Sequence, residues 1–208
     1  YPVGSHIKDC FFVNGYTGYA CGDNGSILKT SNGGINWIQL NSGCNYFLTS
    51  VFFTNQFTGY ITSGNINLPT VSTILKTSNG GANWNEIYTF PNTHLSAITF
   101  YNDTLGYAVG GKYWWGSRIF KTTNAGNNWI QYPDLPTGFI NSICFTGSDT
   151  TYIAGDGGVI MKTTNQGTNW IILNTGSNNS TIYNSIYFTT TSTGFAAGNG
   201  VRIYKTTN

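Results

Sequence analysis

Charge is scarce in this sequence. Asp, Glu, Lys and Arg make up 8% of its 208 residues, where about a quarter is usual for a soluble domain. There are two arginines, Arg118 and Arg202, one glutamate, Glu86, and two histidines, His6 and His94. The net charge of +2 is carried by dispersed lysines, so no patch grips phosphates and nucleic acid is excluded as a partner. No apolar run approaches the roughly 18 residues of a membrane span. The four cysteines, Cys10, Cys21, Cys44 and Cys144, contain no C-x-x-C spacing, which argues against a metal, and nothing in the sequence calls for a cofactor. The first residue, Tyr1, is not preceded by a basic-then-apolar leader, so the chain reads as a mature or trimmed product, or as part of something longer.

What is present is polar and aromatic. Gly, Asn, Thr and Ser supply almost half the chain, aromatics 16% and hydrophobic residues 39%. That is ample core material for a folded protein. A composition neutral, Asn/Thr-rich and charge-poor in this way suggests a secreted or cell-surface protein.

An internal repeat decides the fold. Thr30-Ser-Asn-Gly-Gly-Ile-Asn-Trp37 returns as Thr77–Trp84, Thr122–Trp129 and Thr163–Trp170, and a fifth copy opens at Thr206-Thr207-Asn208. Its central asparagines, Asn32, Asn79, Asn124, Asn165 and Asn208, lie 47, 45, 41 and 43 residues apart. A second marker runs in phase with it. Phe12, Phe53, Phe100, Phe145 and Phe188 each precede an aromatic by seven residues, namely Tyr19, Tyr60, Tyr107, Tyr152 and Phe195. Each unit reads as four short strands with glycine-punctuated turns and no helical period. Four strands in 41–47 residues is the arithmetic of a propeller blade. The expectation is all-β: one propeller over residues 1–208, with blades at about 8–48, 49–95, 96–140, 141–183 and a partial fifth at 184–208.

The octet resembles the Asp-box of the sialidase-type (BNR) repeats, with Asn in place of Asp in every copy. The whole unit, with Gly-Tyr-Ala before it and Lys-Thr leading into it, is similar to the Ycf48-like propeller repeat. The resemblance spans essentially the whole chain and implies a fold more than a function. In it Asn32, Asn79, Asn124, Asn165 and Asn208 hold the turn between the third and fourth strands, and Trp37, Trp84, Trp129 and Trp170 pack beneath it. A sialidase of this type uses three arginines, and two cannot supply them. Photosystem-assembly propellers of the Ycf48-like family are associated with an arginine-bearing surface, which two arginines also cannot build. The repeat is common too in secreted multidomain proteins, where it serves as an adhesive module.

Two features invite chemistry. The loop between the second and third strands lengthens to Asn65-Ile-Asn67-Leu-Pro-Thr-Val71 in blade two and to Gly111-Lys-Tyr113-Trp114-Trp115-Gly116 in blade three. Tyr113, Trp114 and Trp115, with Asn65, Asn67 and His94 as neighbours, form a candidate platform for a glycan or a protein partner. Asp23 and Asp156 occupy equivalent turns of blades one and four, and each reads as a turn residue in preference to a catalytic acid. Cys10 and Cys21 share a hairpin centre with Phe12 and Tyr19, which suggests a cross-strand disulfide. The functional expectation is a non-catalytic binding or adhesion propeller. A glycoside-hydrolase-related enzyme is one alternative. The other is a structural subunit whose last blade is completed by a partner chain or by further residues.

Overall fold

A computed structural model describes residues 6–64, 71–112, 116–135, 137–200 and 202–207, and it is built of β-strands with one single-turn 3-10 segment, Asp23–Gly25. Blade one holds β1 (Ile7–Phe12), β2 (Gly18–Gly22), β3 (Ile27–Thr30) and β4 (Ile38–Leu40). Blade two holds β5 (Leu48–Phe53), β6 (Gly59–Ser63), β7 (Val71–Thr77) and β8 (Asn85–Pro91). Blade three holds β9 (His94–Phe100), β10 (Gly106–Gly111), β11 (Ser117–Thr122) and β12 (Ile130–Gln131). Blade four holds β13 (Ile140–Phe145), β14 (Thr151–Gly155), β15 (Ile160–Thr163) and β16 (Ile171–Leu173). Blade five holds β17 (Tyr183–Phe188), β18 (Gly194–Gly198) and β19 (Arg202–Thr206). Every sheet is an antiparallel meander, four-stranded in blades one to four and three-stranded in blade five among the described residues. The protein is a five-bladed β-propeller.

The two sequence markers meet at the blade junctions. In every blade but the fourth, where Thr151 stands opposite Phe145, the marker phenylalanine lies over the glycine that opens the second strand of its own blade: a Cβ on Gly59 or Gly106 would fall 2.5 Å from the Phe53 or Phe100 ring. A flat backbone there lets the ring lean out to the preceding blade. Tyr19 stacks on Phe53 at 3.9 Å, Tyr60 on Phe100 at 4.2 Å and Tyr152 on Phe188 at 4.1 Å, while Tyr107 meets Phe145 at 5.4 Å and a wider tilt. Such pairs add about 0.5–1.5 kcal/mol to what burial alone gives. Around them lie four apolar clusters, one for each junction from blade one to blade five.

The repeated lysine completes the junction. Lys29 Nζ donates to the Gly80 carbonyl at 2.9 Å, Lys76 to Ala125 at 2.8 Å and Lys121 to Gln166 at 3.1 Å. Each acceptor is the fourth residue of the next blade's box. Three of the nine positively charged side chains therefore tie blade to blade.

Each box is folded by its threonine as much as by its asparagine. In blade three, Thr122 Oγ1 accepts from the Gly126 N–H at 2.9 Å and donates to Asn124 Oδ1 at 3.1 Å, which also accepts from the Asn128 N–H at 2.9 Å. The same pattern recurs at Thr30, Thr77 and Thr163. The second glycine-position residue, Gly34, Gly81, Gly126 or Gly167, lies at φ between 78° and 90°, a region open mainly to glycine.

The first strand of every blade carries a register shift near its start, as between Ile7 and Asp9, Leu48 and Ser50, and Ile140 and Ser142. The extra residue bends the strand and redirects its side chain. Thr49 uses this to donate to the Leu95 carbonyl at 2.9 Å, and Asn141 to reach the Tyr183 carbonyl at 3.1 Å.

The suggested disulfide is corrected by this register. Cys10 pairs with Ala20 and Cys21 with Asp9, so the two cysteines project from opposite faces of the sheet. Both are free thiols, Cys10 exposed and Cys21 fully buried toward blade two. The seven-residue spacing of Phe12 and Tyr19 reflects a contact between neighbouring blades, not a pair across one hairpin.

Candidate functional site

The loops from fourth strand to first and from second strand to third share one face, and the structure bolts them together. After β4 the chain runs through Asn41–Phe47, a loop shaped by Asn41 accepting from the Gly43 N–H at 3.0 Å and by Gly43 at φ 74°. The Tyr46 carbonyl then accepts from the Gly25 N–H at 2.7 Å in the blade-one turn. The next carbonyl, Phe47, accepts from the Gly64 N–H at 2.9 Å at the end of β6. With both carbonyls turned inward, the Tyr46 and Phe47 side chains are left on the surface, 42% and 43% exposed.

Beside them opens a pocket of 260 Å³, lined by Asn45, Tyr46, Phe47, Val71, Thr73 and Glu86 among others. The Glu86 carboxylate hydrogen-bonds the Tyr46 hydroxyl and holds its phenol above the ordinary tyrosine range, with burial adding to the effect. One wall is therefore aromatic and the other carries the sole glutamate of the chain. Such a pocket grips an apolar group with a donor or cation beside it.

A larger cleft, 440 Å³, lies between blades four and five and is lined by Tyr152, Lys162, Leu173, Phe188 and Phe195 among others. Its walls are scaffold positions. In blade one the counterparts of Tyr152 and Leu173 are Tyr19 and Leu40, which stand against Gly81 of the next blade's box and against Trp84 beside it. The cleft belongs to the blade-stacking machinery, so the smaller pocket on the loop face is the better candidate.

Of the residues proposed from the sequence, Asn65, Asn67, Tyr113, Trp114 and Trp115 lie outside the described residues, as does Asn208. His94 is described, at the start of β9. It pairs with Gly111 across the sheet, its ring packs where a Gly64 Cβ would be 2.5 Å away, and it meets Phe139 edge-on at 5.8 Å. It thus stands between Gly64 and Gly111, the ends of the strands that lead into both lengthened loops. It is packed there, not solvated, and its Nδ1 has no hydrogen-bond partner.

Burial lowers the pKa of His94 below the ordinary histidine value. On acidification from pH 7, the unfolded chain takes up a proton at residue 94, near pH 6.5, before the native protein does. Stability contributed by neutral His94 is therefore present at pH 7, declines as the pH falls through about 6.5, and levels off below the native pKa. The expected result is a melting temperature that drops more steeply between pH 7 and 5 in the wild type than in His94→Gln. Parallel curves for the two proteins would assign the slope to other groups.

The two equivalent turn carboxylates are engaged within their own blades. Asp23 is buried, with His6 Nδ1 at 3.0 Å and Lys8 Nζ at 3.7 Å, and its pKa is lowered first by the bond to His6. Asp156 accepts from Asn141 Nδ2 at 3.0 Å. Arg118, one of the two arginines, is paired with Asp134 and fastens the loop after β12. Among the described residues no group of three His, Cys, Asp or Glu side chains could hold a metal ion, and no helix is long and apolar enough to cross a membrane.

The comparisons with known proteins agree on the architecture. A search of the curated proteins finds no match. Among solved structures, a chain described as YCF48 bound to D1 peptide aligns over 100% of this chain and 95% of its own, at 15% identity and a TM-score of 0.51. A GH74 enzyme of Niastella koreensis aligns over 97% of this chain at 17% identity and a TM-score of 0.74. The present chain spans only 36% of that enzyme. The WD40 propeller domain of Doa1 aligns over 97% of this chain and 65% of its own, at 10% identity and a TM-score of 0.69. These likenesses establish the fold. The model of the photosystem II assembly factor YCF48 family matches residues 1–132, well over half the chain. That match overturns the secreted or cell-surface adhesive assignment drawn from composition. The neutral, Asn-rich character belongs to the boxes and their turns, so it reports the repeat and not the compartment. The shortage of arginine that told against an assembly factor is likewise no bar to membership. By its repeat, its fold and this match, the chain belongs to the photosystem II assembly factor YCF48 family.

Proposed function

We propose that this propeller is a non-catalytic protein-binding module that takes an extended peptide segment on its loop face, at the pocket of Tyr46, Phe47 and Glu86. The observation that carries the reading is the pocket itself. Two exposed aromatic rings stand on a loop whose backbone is fixed by Gly25 and Gly64, beside the lone glutamate. Rigid aromatic anchors beside a charged group are the composition of an interface hot spot. Membership of an assembly-factor family supports a protein ligand, and so does a similar propeller bound to a D1 peptide. Glu86 favours a peptide with a Lys, an Arg or an amino terminus next to an apolar side chain.

The D1 peptide is the natural probe. Titration of a fluorescent D1 peptide is expected to show saturable binding to the wild type. Tyr46→Ala combined with Phe47→Ala is expected to weaken it by about 30-fold or more, with an unchanged circular dichroism spectrum. Absence of binding to the wild type, or equal binding by the double variant, would remove this pocket as the peptide site. A glycan is the second ligand class suggested by the aromatic loops. Binding of an oligosaccharide, lost in the double variant while the peptide is ignored, would transfer the site to that class.

A further inference from the structure

We infer that Asn14–Gly15 is a site of spontaneous covalent modification, at which the native chain converts its own asparagine side chain to an acid. The sequence holds five Asn-Gly pairs, beginning at Asn14, Asn24, Asn32, Asn79 and Asn199. In such a pair the glycine nitrogen, unshielded by a Cβ, can attack the side-chain carbonyl carbon of the asparagine. The reaction needs two freedoms. The glycine N–H must not be engaged in a hydrogen bond, and the side-chain nitrogen must be free to leave as ammonia. Of the five pairs, the fold grants both to one.

Three of the glycine N–H groups are engaged. Gly25 donates to the Tyr46 carbonyl at 2.7 Å, Gly33 to Tyr16 at 2.8 Å and Gly80 to Phe57 at 2.9 Å. In the two boxes the asparagine Oδ1 is also held away from the pair, by the N–H of Asn36 or of Asn83. At Asn199 the side chain is clamped instead. Its Oδ1 accepts from the Ile182 N–H at 3.0 Å, and its Nδ2 donates to the Ser180 carbonyl at 3.1 Å. Asn14 has neither restraint. Among the described residues nothing accepts from the Gly15 N–H or from Asn14 Nδ2. No atom beyond its chain neighbours lies within 4 Å of where a Gly15 Cβ would stand.

The contacts Asn14 does make favour the attack. Its Oδ1 accepts from the Tyr16 N–H at 2.9 Å and from the Thr17 N–H at 2.8 Å. These bonds fold the side chain forward over the Gly15 peptide. They also aim two fixed donors at the oxygen on which negative charge develops as the carbonyl carbon is attacked. A water or hydroxide takes the Gly15 amide proton, the nitrogen bonds to Cγ, and the Cγ–Nδ2 bond breaks to release ammonia. Water then opens the cyclic imide at either carbonyl, giving aspartate or isoaspartate. Either product puts a new negative charge on the box face, beside the Tyr16 carbonyl that holds Gly33. The repeat supplies its own controls. In the equivalent turns, Asn55 accepts from the N–H groups of Phe57 and Thr58, and Asn102 from those of Thr104 and Leu105. There the next residue is Gln56 or Asp103, each with a side chain to shield its nitrogen. Both are exposed, as Gly15 is, so the openness of this position belongs to the turn and recurs between other blades.

Native protein is incubated at mildly alkaline pH, and amide loss at each asparagine is followed by peptide mapping in a mass spectrometer. Asn14 is expected to react at least about tenfold faster than Asn24, Asn32, Asn79 or Asn199, with isoaspartate among the products. In the urea-unfolded chain the five rates are expected to converge, because the hydrogen bonds that separate them are gone. Gly15→Gln writes the blade-two turn into blade one. It is expected to keep the wild-type fold, since Gly15 has no positive φ and has room for a side chain. In that variant Asn14 is expected to keep its amide as long as Asn55 does. A native Asn14 that reacts no faster than Asn32 and Asn79 overturns the inference. So does a Gly15→Gln protein that loses the Asn14 amide as quickly as the wild type, or an order of rates that unfolding leaves unchanged.

Discussion

Phe100→Ala is expected to destabilise the protein by about 3–5 kcal/mol, while the same substitution at Phe12 costs less than about 1 kcal/mol. Phe100 is 5% exposed and sits at the centre of the cluster between blades two and three, with Ile74, Leu95, Ala108 and Phe120. Its ring stacks on Tyr60 at 4.2 Å and meets the edge of Trp129 at 6.2 Å. Tyr60 is itself fixed, since its hydroxyl donates to the Ala125 carbonyl at 2.9 Å and burial pushes its pKa up to about 12. Removing the Phe100 ring therefore opens a cavity whose walls cannot collapse, and it breaks the contact between two blades. In a chain stabilised mainly by neighbour-to-neighbour interfaces, a junction lost in the middle is felt by both halves. A domain of this size loses about 2–4 °C of melting temperature per kcal/mol, so the drop is of order 6–20 °C. Phe12 occupies the same repeat position, but its ring rests on Gly18 and the edge of Trp37, at 6.0 Å, within its own blade and is 42% exposed. The comparison is made by thermal unfolding of the two variants beside the wild type. Equal losses at the two positions would show that the junctions do not hold the fold together.

Much of this was readable from the residues. The boxes and the phenylalanine–aromatic pairs, in phase through five units, specify blades without any knowledge of the coordinates. The meaning of the seven-residue spacing was not readable. Seven is odd, so it joins residues on opposite faces of a hairpin, and only the stacking of blades explains why Phe53 and Tyr60 recur together. Each reaches a different neighbour. The same parity separates Cys10 from Cys21. The register shift in every first strand left no clear mark in the sequence, because Lys8, Thr49, Ser96, Asn141 and Asn184 are all polar but have no one side chain in common.

The loop face could be inferred from the lengthened loops, but its described pocket could not. Tyr46 and Phe47 lie in a connection of ordinary length, where two aromatics look like core residues until their carbonyls are seen turned inward. Glu86 carried one weak signal, its solitude among the charged residues. The packing of His94 was not legible either. A histidine at the start of a strand is indistinguishable in sequence from one in a loop, and its burial depends on glycines at positions 64 and 111 that come from two other strands.

The box yields the second large effect, and it falls on a residue that the resemblance to the Asp-box does not emphasise. Thr122→Val is expected to cost about 2–3 kcal/mol, the desolvation of one buried donor plus a weakened acceptor, or about 4–12 °C of melting temperature. Valine has the shape of threonine, so packing is conserved and the loss is one of hydrogen bonds. Thr122 is 1% exposed, and its Oγ1 serves the N–H groups of Asn124 and Gly126 at 3.3 and 2.9 Å while donating to Asn124 Oδ1. Without it the buried Gly126 N–H has no acceptor. The turn cannot swing out to water, because Gly126 sits at φ 78° and a Cβ there would lie 3.1 Å from Ile87 and 3.2 Å from Tyr60. Asn124→Asp is the informative control. Asn124 Oδ1 acts only as an acceptor, from the Thr122 hydroxyl and the Asn128 N–H, and a carboxylate accepts both with the added strength of charge. Its effect is expected to stay within about 1 kcal/mol, which accounts for how an Asp-box can be written with asparagine. A loss in Asn124→Asp as large as that in Thr122→Val would mean that the amide nitrogen, and not the shared acceptor, holds the turn.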